Sequence, residues 1–278
     1  MTSSFQLHYE PLLAEHPQWG RAAVIPWDTE IFGFPVAQLQ LGDAAAVVQE
    51  QSLFADAVMT WAKGRKVATI VCRVAGAGNR NSEENGWTTI LSRTGWHFVE
   101  YSMLVQIVRL QKVTLPRTTI AVRPVESGDC QAVLRIAQSA FSAGRYHADP
   151  LFPLKLANRR YYCWMENALR DTLATDDVGN RVYVIGQPGR VVGFLHAVIQ
   201  NGVVDMRLAA VDSEVAGGLA GFNLYIGALA ALRDEGVLHM QTRVAASNTA
   251  VLNIYSMIGC RFTAPEAVFH WWDQDAEL

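Results

Sequence analysis

Two periods of hydrophobic and polar positions organise the first part of the chain. Residues 44–63 are rich in alanine and carry apolar side chains at helical spacing, which predicts a helix, whereas 66–74 is a continuous apolar, β-branched run typical of a buried strand. After a polar, glycine-containing loop at 76–82, a second helix is predicted to end near Gly95, followed by a strand at 97–108. These elements predict a mixed α/β unit.

The second part of the chain is richer in strands. It follows 110–118, a proline-containing segment with little periodicity that marks the predicted boundary between domains at 1–115 and 118–278. The elements predicted there are, in order, a strand at 118–125, a helix at 127–142, a loop, a helix at 155–173, strands at 181–186, 190–200 and 203–211, a helix ending near 235, a strand at 238–246, a helix at 249–258 and a strand region at 260–272. Turn residues at 187–189 and Asn201-Gly202 predict an antiparallel meander.

Composition limits the classes of protein to which the chain can belong. Its 278 residues suffice for one large or two medium domains, and 50% hydrophobic with 18% charged residues is typical of a folded globular protein. A net charge of -3 gives no general attraction to phosphate polymers, so nucleic acid is not a predicted partner. The sequence starts without the pattern of a secretory signal, and no apolar run approaches the ~18–20 residues that span a bilayer. These features predict a cytoplasmic protein with no membrane partner.

The cysteines and histidines show no metal-binding pattern. No two of Cys72, Cys130, Cys163 and Cys260 have a CxxC spacing, and the seven histidines lack ligand spacing. We therefore predict free, buried thiols and no metal. A Gly-x-Ser-x-Gly elbow and a phosphate-binding P-loop are both missing from the sequence, so hydrolase and kinase functions lack support.

A glycine-rich turn at 216–221 lies between a predicted strand and a predicted helix. A helix N-terminus leaves backbone N–H groups unpaired and carries partial positive charge, so a turn of this kind suits a pyrophosphate. It is also compatible with a plain helix start that binds no ligand. On the preceding strand, Asp205, Arg207, Ala209 and Val211 share one face, and the small alanines leave the backbone approachable.

The order of these elements, with the segments 203–232 and 242–262, resembles the GCN5-related N-acetyltransferase (GNAT) superfamily. The segments PWDTEIFGFPVAQL (26–39) and GRYHADPLFP (144–153) look like the two-domain members that acetylate a dTDP-linked 4-amino-4,6-dideoxygalactose. The resemblance implies a GNAT fold of the α/β class, with a mixed, mostly antiparallel sheet flanked by helices. It also implies acetyl-CoA as the cofactor and a small-molecule primary amine as the partner, a nucleotide-linked amino sugar being one candidate.

The resemblance implies how coenzyme A is held. In GNAT proteins the strand corresponding to 203–211 splays from the next strand and pairs with the pantetheine arm, and the following turn holds the pyrophosphate. The family pattern is Arg or Gln, two residues, Gly, one residue, then Gly or Ala; a start at Ala216 is favoured over Val215 because it places the apolar residues of the helix on one buried face. In both registers the Arg or Gln is missing. The implied coenzyme residues are Ala209, Ala210, Val211, Ala216, Gly217, Gly218, Leu219, Ala220, Gly221, Asn248 and Tyr255.

Two residues carry the chemistry that the resemblance implies. Tyr255 lies seven residues, two helical turns, after Asn248, where family members use a tyrosine to protonate the leaving thiolate. Asn248 also fits a helix N-cap. Asp205 matches the place of the general-base carboxylate in some members; it is equally compatible with an exposed ion pair to Arg207. A GNAT-fold protein that binds an acyl-CoA without turnover, and an acyltransferase for a protein, peptide or antibiotic amine, remain alternatives.

The two halves resemble distant repeats. CRVAGAGN in the first half is similar to TRVAASN in the second, and RTGWHF is similar to MIGCRF. Leu91 stands where the second half has Tyr255, and no glycine-rich helix entry precedes Lys66. We therefore expect a partial GNAT-like first half without coenzyme, in a monomer or homodimer.

Acceptor-binding candidates come from both halves of the chain. They combine cations, carboxylates, a histidine and stacking surfaces, which suit a polar acceptor bearing a phosphate or sugar. The candidates are Trp27, Asp28, Phe32, Arg145, Tyr146, His147 and Asp149. Trp27, Phe32 and Phe34 are equally compatible with core residues of a strand pair.

Overall fold

A computed structural model gives the structure of residues 7–76, 85–142, 144–174, 179–187, 190–215 and 219–275. The helices are α1 (Pro26–Phe32), α2 (Gln51–Gly64), α3 (Asn85–Arg93), α4 (Cys130–Ser139), α5 (Arg145–Ala148), α6 (Leu154–Leu173), α7 (Ala220–Asp234) and α8 (Thr249–Ile258). The strands are β1 (Glu10–Pro11), β2 (Gly20–Val24), β3 (Val36–Leu41), β4 (Thr69–Val74), β5 (His97–Ile107), β6 (Val122–Pro124), β7 (Asn180–Gln187), β8 (Arg190–Gln200), β9 (Val203–Val211), β10 (His239–Ala245), β11 (Arg261–Phe262) and β12 (Glu266–Trp272).

The described strands form one sheet in the order β1-β2-β3-β4-β12-β5-β10-β9-β8-β7-β6, with β11 paired to β5. Only β3 with β4 and β9 with β10 run parallel among these pairs; the other neighbours are antiparallel. Alternate side chains of a strand point to opposite faces of the sheet. Both faces therefore carry apolar residues, and helices cover both. On β12, for example, Ala267 and Phe269 pack with α2 and α3, whereas Val268 packs on the face of α1, α5 and α6. The predicted fold class is confirmed.

The two halves of the chain exchange strands in the middle of the sheet. The last strand, β12, lies between β4 and β5 of the first half, and β5 in turn pairs with β10 of the second half. The segment from strand β4 through helix α3 to β5 repeats the order of β10, α8 and the strands after it. The sheet is therefore continuous across the proposed boundary at residues 115–118, and the division into two domains stays a prediction.

Local sequence explains the meander of β7, β8 and β9. All three are antiparallel neighbours as predicted. Asn201 and Gly202 both adopt positive φ angles, 52° and 75°, the conformation that a two-residue hairpin needs and that Asn-Gly favours. The other predicted turn includes residues 188 and 189, which lie outside the described residues, as do residues 77–82 of the predicted first-half loop.

Several predicted elements differ from the structure. The helix predicted at 44–63 begins only at Gln51, since the indole Nε1–H of Trp19 donates to the carbonyl of Ala46 at 3.1 Å and holds that segment in turns. The strand predicted at 118–125 is reduced to β6, because the amide of Thr119 donates to the side chain of Asn223 on α7 at 2.8 Å.

Two further helices and the burial of the cysteines differ from what the sequence indicated. Trp27 and Phe32, considered as residues of a strand pair, lie in helix α1, and the predicted loop after α4 contains the short helix α5. All four cysteines are free, but only Cys72 is buried. None of the helices in the part of the chain that the structure describes combines the length and apolar character needed to cross a bilayer.

Candidate active site

The parallel strands β9 and β10 separate along their length. They pair at only three positions, from Val203 to Asp205 on β9. Beyond this point Thr242 Oγ1 donates to the Met206 carbonyl at 2.6 Å, and β9 continues to Val211 paired with β8 alone. Among the described strands, none pairs with the other edge of this last part of β9. The sheet therefore has an opening at its centre, beside Ala209, Ala210 and Val211.

A cavity of about 300 Å³ occupies this opening. Its volume lies at the lower end of the ~300–1,000 Å³ range of small-molecule sites. The wall includes Tyr225 and Tyr255, which belong to the core on the α7 and α8 face, and Tyr161 and Leu208, which belong to the core on the opposite face. The cavity thus reaches from one face of the sheet to the other, and we call its two parts the α8 side and the α6 side.

Tyr255 lies on α8 with its hydroxyl group at the α8 side. Its side chain is 1% exposed and packs edge-on against Tyr225, with ring centroids 5.1 Å apart. The hydroxyl contacts Met206 Sδ at 4.0 Å. Burial, followed by the nearby Tyr225 and Cys260, raises the pKa of Tyr255 well above its ordinary value. The phenol therefore keeps its proton at neutral pH and can act as a donor.

The other predicted coenzyme residues that the structure describes border the same opening or begin α7. Asn248 caps α8, its Oδ1 accepting the amide N–H of Val251 at 3.3 Å, and lines the cavity as Ala209 does. Ala216, Gly217 and Gly218 lie outside the described residues. Leu219 is 66% exposed and precedes the first residues of α7, Ala220 and Gly221. The predicted apolar face of α7 is buried, as expected for Leu224, Tyr225, Ala228, Leu229 and Leu232.

Asp205 is the last residue of β9 that pairs with β10, and it does not line the cavity. Its Oδ2 forms an ion pair with Arg207 Nε at 3.1 Å. Burial raises the pKa of Asp205, against the opposing effect of Arg207 and Arg243. The structure thus shows the ion pair that was one of the two sequence-based interpretations, and the base role stays a prediction.

Two of the seven acceptor candidates, Arg145 and Tyr146, line the cavity on the α6 side. The Tyr146 hydroxyl donates to Asp28 Oδ2 at 2.5 Å, and Arg160 Nε donates to Asp28 Oδ1 at 2.6 Å. The Arg145 guanidinium in turn donates to the Tyr146 oxygen at 2.9 Å. Asp28 is fully buried, so it positions Arg160 and Tyr146 rather than contacting the cavity itself.

Trp27, Phe32 and His147 lie away from the cavity wall. Phe32 is buried in an aromatic cluster, with ring centroids 5.0 Å from Tyr146 and 4.7 Å from Phe152. Trp27 packs against the edge of this cluster, and His147 contacts Asn158 Oδ1 at 2.8 Å. Phe32 therefore has the core position that was its alternative interpretation.

Asp149 anchors the segment after α5 to the sheet. Its Oδ2 contacts His270 Nδ1 at 2.6 Å, Trp272 Nε1 at 2.9 Å and His97 Nε2 at 3.2 Å. Burial alone raises a carboxyl pKa, but the hydrogen bonds from His270, Trp272 and the Leu151 amide outweigh it and lower the pKa of Asp149 to about 2. Burial lowers the pKa of His270 to about 4. The predicted acceptor ligand Asp149 is thus 2% exposed and engaged in a structural network.

Sequence reasoning missed several charged residues of the cavity wall: Arg73, Glu100, Arg160 and Arg243. Arg73 Nη1 donates to Ser102 Oγ at 2.7 Å, and burial together with Arg145 lowers the pKa of Arg73 to about 10. The sequence contained a signal for two of these residues, because the internal repeat aligns Arg73 with Arg243. Each is a charged residue within an apolar strand. The two repeat-related arginines meet at one cavity.

The fold is that of the GCN5-related N-acetyltransferases. The chain superposes on a GCN5-related N-acetyltransferase from Sphaerobacter thermophilus with a TM-score of 0.65 and 14% identity, covering 91% of this chain and 76% of that one. A tandem GNAT protein from the clavulanic acid biosynthesis pathway gives a TM-score of 0.55 and 14% identity, over 91% of this chain and 78% of that one. No family model matches the chain.

A curated relative is similar in sequence. The spore coat polysaccharide biosynthesis protein SpsD of Bacillus subtilis (strain 168) is 26% identical over 152 residues, 53% of this chain and 48% of that protein. The chain therefore matches about half the length of this relative.

Proposed function

We propose that the protein is an acetyl-CoA-dependent N-acetyltransferase that transfers the acetyl group directly to a small-molecule primary amine. The observation that carries this proposal is the opening between β9 and β10, because it places an unpaired strand edge and the Tyr255 hydroxyl beside one cavity. The GNAT fold supports the same chemistry.

The residues at the opening fit coenzyme A. The edge of β9 at Ala209–Val211 offers backbone N–H and C=O groups to the amides of a pantetheine arm, and the alanines leave room for it. The N-terminus of α7 offers unpaired N–H groups to the pyrophosphate. When bound, acetyl-CoA supplies an activated acyl group. We assign this site to Ala209–Val211, Ala216–Gly221, Asn248 and Tyr255.

Tyr255 is the proposed acid. Its raised pKa keeps the phenol protonated until a thiolate forms beside it. Direct transfer is favoured over an acyl-enzyme because none of the described cavity-lining residues is a cysteine. The amine must lose a proton to react, and Asp205 is the base that the resemblance suggests.

The α6 side of the cavity suits an acceptor with an anionic group. Five arginines line the cavity, Arg73, Arg145, Arg160, Arg207 and Arg243, against one lining carboxylate, Glu100. Arginine binds phosphate and carboxylate through paired N–H groups. Tyr161 and Trp164 add aromatic surfaces. This combination supports a nucleotide-linked amino sugar, and the similarity to SpsD, a spore coat polysaccharide biosynthesis protein, agrees with a sugar substrate.

The first half, residues 1–115, is proposed to be a GNAT-like unit that binds no coenzyme. Its parallel strands β3 and β4 pair at four positions of the six in each strand, so they separate less than β9 and β10. Leu91, which is fully buried, aligns with Tyr255 in the sequence repeat and has no hydroxyl group. In this proposal the half supplies Arg73 and Glu100 to the acceptor end of the cavity.

Binding without turnover is the second candidate. It is favoured by the missing Arg or Gln before the glycines, together with the exposed Leu219 at the start of α7. Acylation of a protein, peptide or antibiotic amine is a third, within the same chemistry.

Thiol release from acetyl-CoA, measured over a panel of amines, tests the proposed function. The panel includes dTDP- and UDP-linked amino sugars, free amino sugars, amino acids and polyamines. We expect release with at least one anionic amino sugar, and a matched sugar with a hydroxyl in place of the amine is the control. Coenzyme binding with no thiol release from any amine would instead favour the binding protein.

A further inference from the structure

The carboxylates near the cavity differ in what neutralises them. Three form ion pairs with N–O distances of 2.6 to 3.1 Å: Asp28 with Arg160, Asp205 with Arg207, and Glu266 with Arg243. Glu100 has no cation within 4.0 Å among the described ion pairs, and its Oε2 is buried without a hydrogen-bond partner among the described residues. A buried carboxylate oxygen without a partner is costly, so this exception calls for an explanation.

Neighbouring strands fix the position of Glu100. Arg73 on β4, Val268 on β12 and Glu100 on β5 stand directly opposite one another across the sheet, so their side chains share a face. That face carries the α6 side of the cavity, since Val268 packs with Tyr146. Arg73 donates to Ser102 and lies 3.9 Å from Glu266 Oε2, and it forms no ion pair with Glu100 among the described residues.

The surroundings of Glu100 make its carboxylate easier to protonate. Burial raises the pKa of Glu100, and the more distant Arg73 and Arg145 oppose this effect. A raised pKa makes a carboxylate a stronger proton acceptor near neutral pH. Glu100 and the proposed acid Tyr255 line the same cavity of about 300 Å³ from different halves of the chain.

We propose that Glu100, rather than Asp205, is the general base that removes a proton from the acceptor ammonium group. This role rests on the proposed function. Glu100 accepts one proton from R–NH₃⁺ and later releases it to solvent. The freed nitrogen lone pair forms the C–N bond to the thioester carbonyl carbon, and the C–S bond breaks with its electron pair left on sulfur. Tyr255 protonates that sulfur, and the second proton lost by nitrogen returns to the phenolate through solvent.

The test is the pH dependence of kcat/KM in wild type, Glu100→Gln and Asp205→Asn, with the acceptor found by the thiol-release panel. Glu100→Gln keeps the size of the side chain but cannot take a proton. We expect kcat to fall ~10²- to 10⁴-fold at neutral pH. The acidic limb of the profile should move up to the pKa of the free amine, with partial recovery of rate in alkali, whereas Asp205→Asn should keep the acidic limb of wild type.

The outcomes separate the two proposals. A wild-type rate and profile in Glu100→Gln, or loss of the limb in Asp205→Asn alone, would overturn the role of Glu100 and leave the proposed function standing. No thiol release by wild type with any amine would overturn the proposed function, and the role of Glu100 with it. Glu100→Asp covers the case in which the glutamine variant does not fold: it should be slower than wild type yet keep an acidic limb, and a limb at the pKa of the free amine would contradict the proposal.

Discussion

A phenol inside an apolar core is useful to an acyl transfer only if it keeps its proton until the sulfur needs one. Tyr255 meets this condition, since burial raises its pKa, and its hydroxyl contacts Met206 Sδ at 4.0 Å. The ring also fills space against Tyr225. Packing and chemistry therefore reside in different atoms of one side chain and can be separated by substitution.

Tyr255→Phe keeps the ring and removes only the hydroxyl. If Tyr255 protonates the leaving thiolate, kcat should fall ~10²- to 10⁴-fold, while CoA affinity stays near that of wild type. The free energy of unfolding should change by about 1 kcal/mol, the typical net contribution of one hydrogen-bonding group. Steady-state kinetics, calorimetric CoA binding and thermal melts check the three expectations. Turnover at the wild-type rate across the pH range would return Tyr255 to a packing role.

At the scale of elements, the coenzyme site depends on how a strand and a helix begin and end. β9 continues beyond the residues that pair with β10, and α7 is the helix that follows β9 in the chain. Gly221 lies in the first turn of α7, where a Cβ would meet Ile254 Cδ1 at 3.7 Å, an ordinary van der Waals contact. The backbone therefore accepts a side chain at this position.

Gly221→Glu should weaken CoA binding by placing a negative charge beside the pyrophosphate. A like charge near a surface costs ~1–2 kcal/mol, or roughly a tenfold loss of affinity. The helix should remain folded, because an acidic residue in the first turn interacts favourably with the helix dipole. Gly221→Gln is the matched control, with equal bulk and no charge, and isothermal titration calorimetry gives the affinities. Equal affinity in the two variants would count against a pyrophosphate at this turn.

Much of the second half could be predicted from the sequence, and the reasons are local. The 249–258 helix agrees residue for residue with α8, because Asn248 caps it and Gly259 ends it with a positive φ of 83°. Asn201-Gly202 fixed a hairpin for a similar local reason. The separation of β9 from β10 could be expected only from the resemblance, because hydrophobic periodicity does not show where a strand stops pairing with its neighbour.

The cavity wall was harder to predict because it is built by the whole molecule. The exchange of β5 and β12 places Glu100 next to strands that lie far away in sequence. Asp28 and Arg160, 132 residues apart, meet only because α1 packs on α6. Asp149 was predicted to bind the acceptor, but it does not line the cavity, and only its tertiary contacts show that its carboxylate accepts from His270 and Trp272. Sequence patterns give the residue types, whereas these pairings come from the topology.

The Asp149 network makes the stability of the whole molecule sensitive to acid. His270 is buried with a pKa of about 4, below the ordinary 6.5, so its neutral form donates from Nδ1 to Asp149. A histidine whose pKa is lower in the folded state stabilises the fold above pH 6.5, and this stabilisation is lost as the pH falls through 6.5 towards 4. Asp149, with a pKa of about 2 against 3.8, adds a loss of the same sign only below about pH 4.

His270→Asn keeps an N–H donor facing Asp149 but removes the titrating group. Wild type should lose unfolding free energy between pH 6.5 and 4, by an amount on the order of 3 kcal/mol at most, since one pKa unit corresponds to about 1.4 kcal/mol. The variant should be less stable at pH 7, because an asparagine packs less well than the imidazole, yet its stability should fall less steeply over that interval. Urea denaturation at a series of pH values measures both slopes. Asp149 titrates only below about pH 4, outside this interval, so parallel curves for the two proteins would mean that His270 does not gain its proton on unfolding.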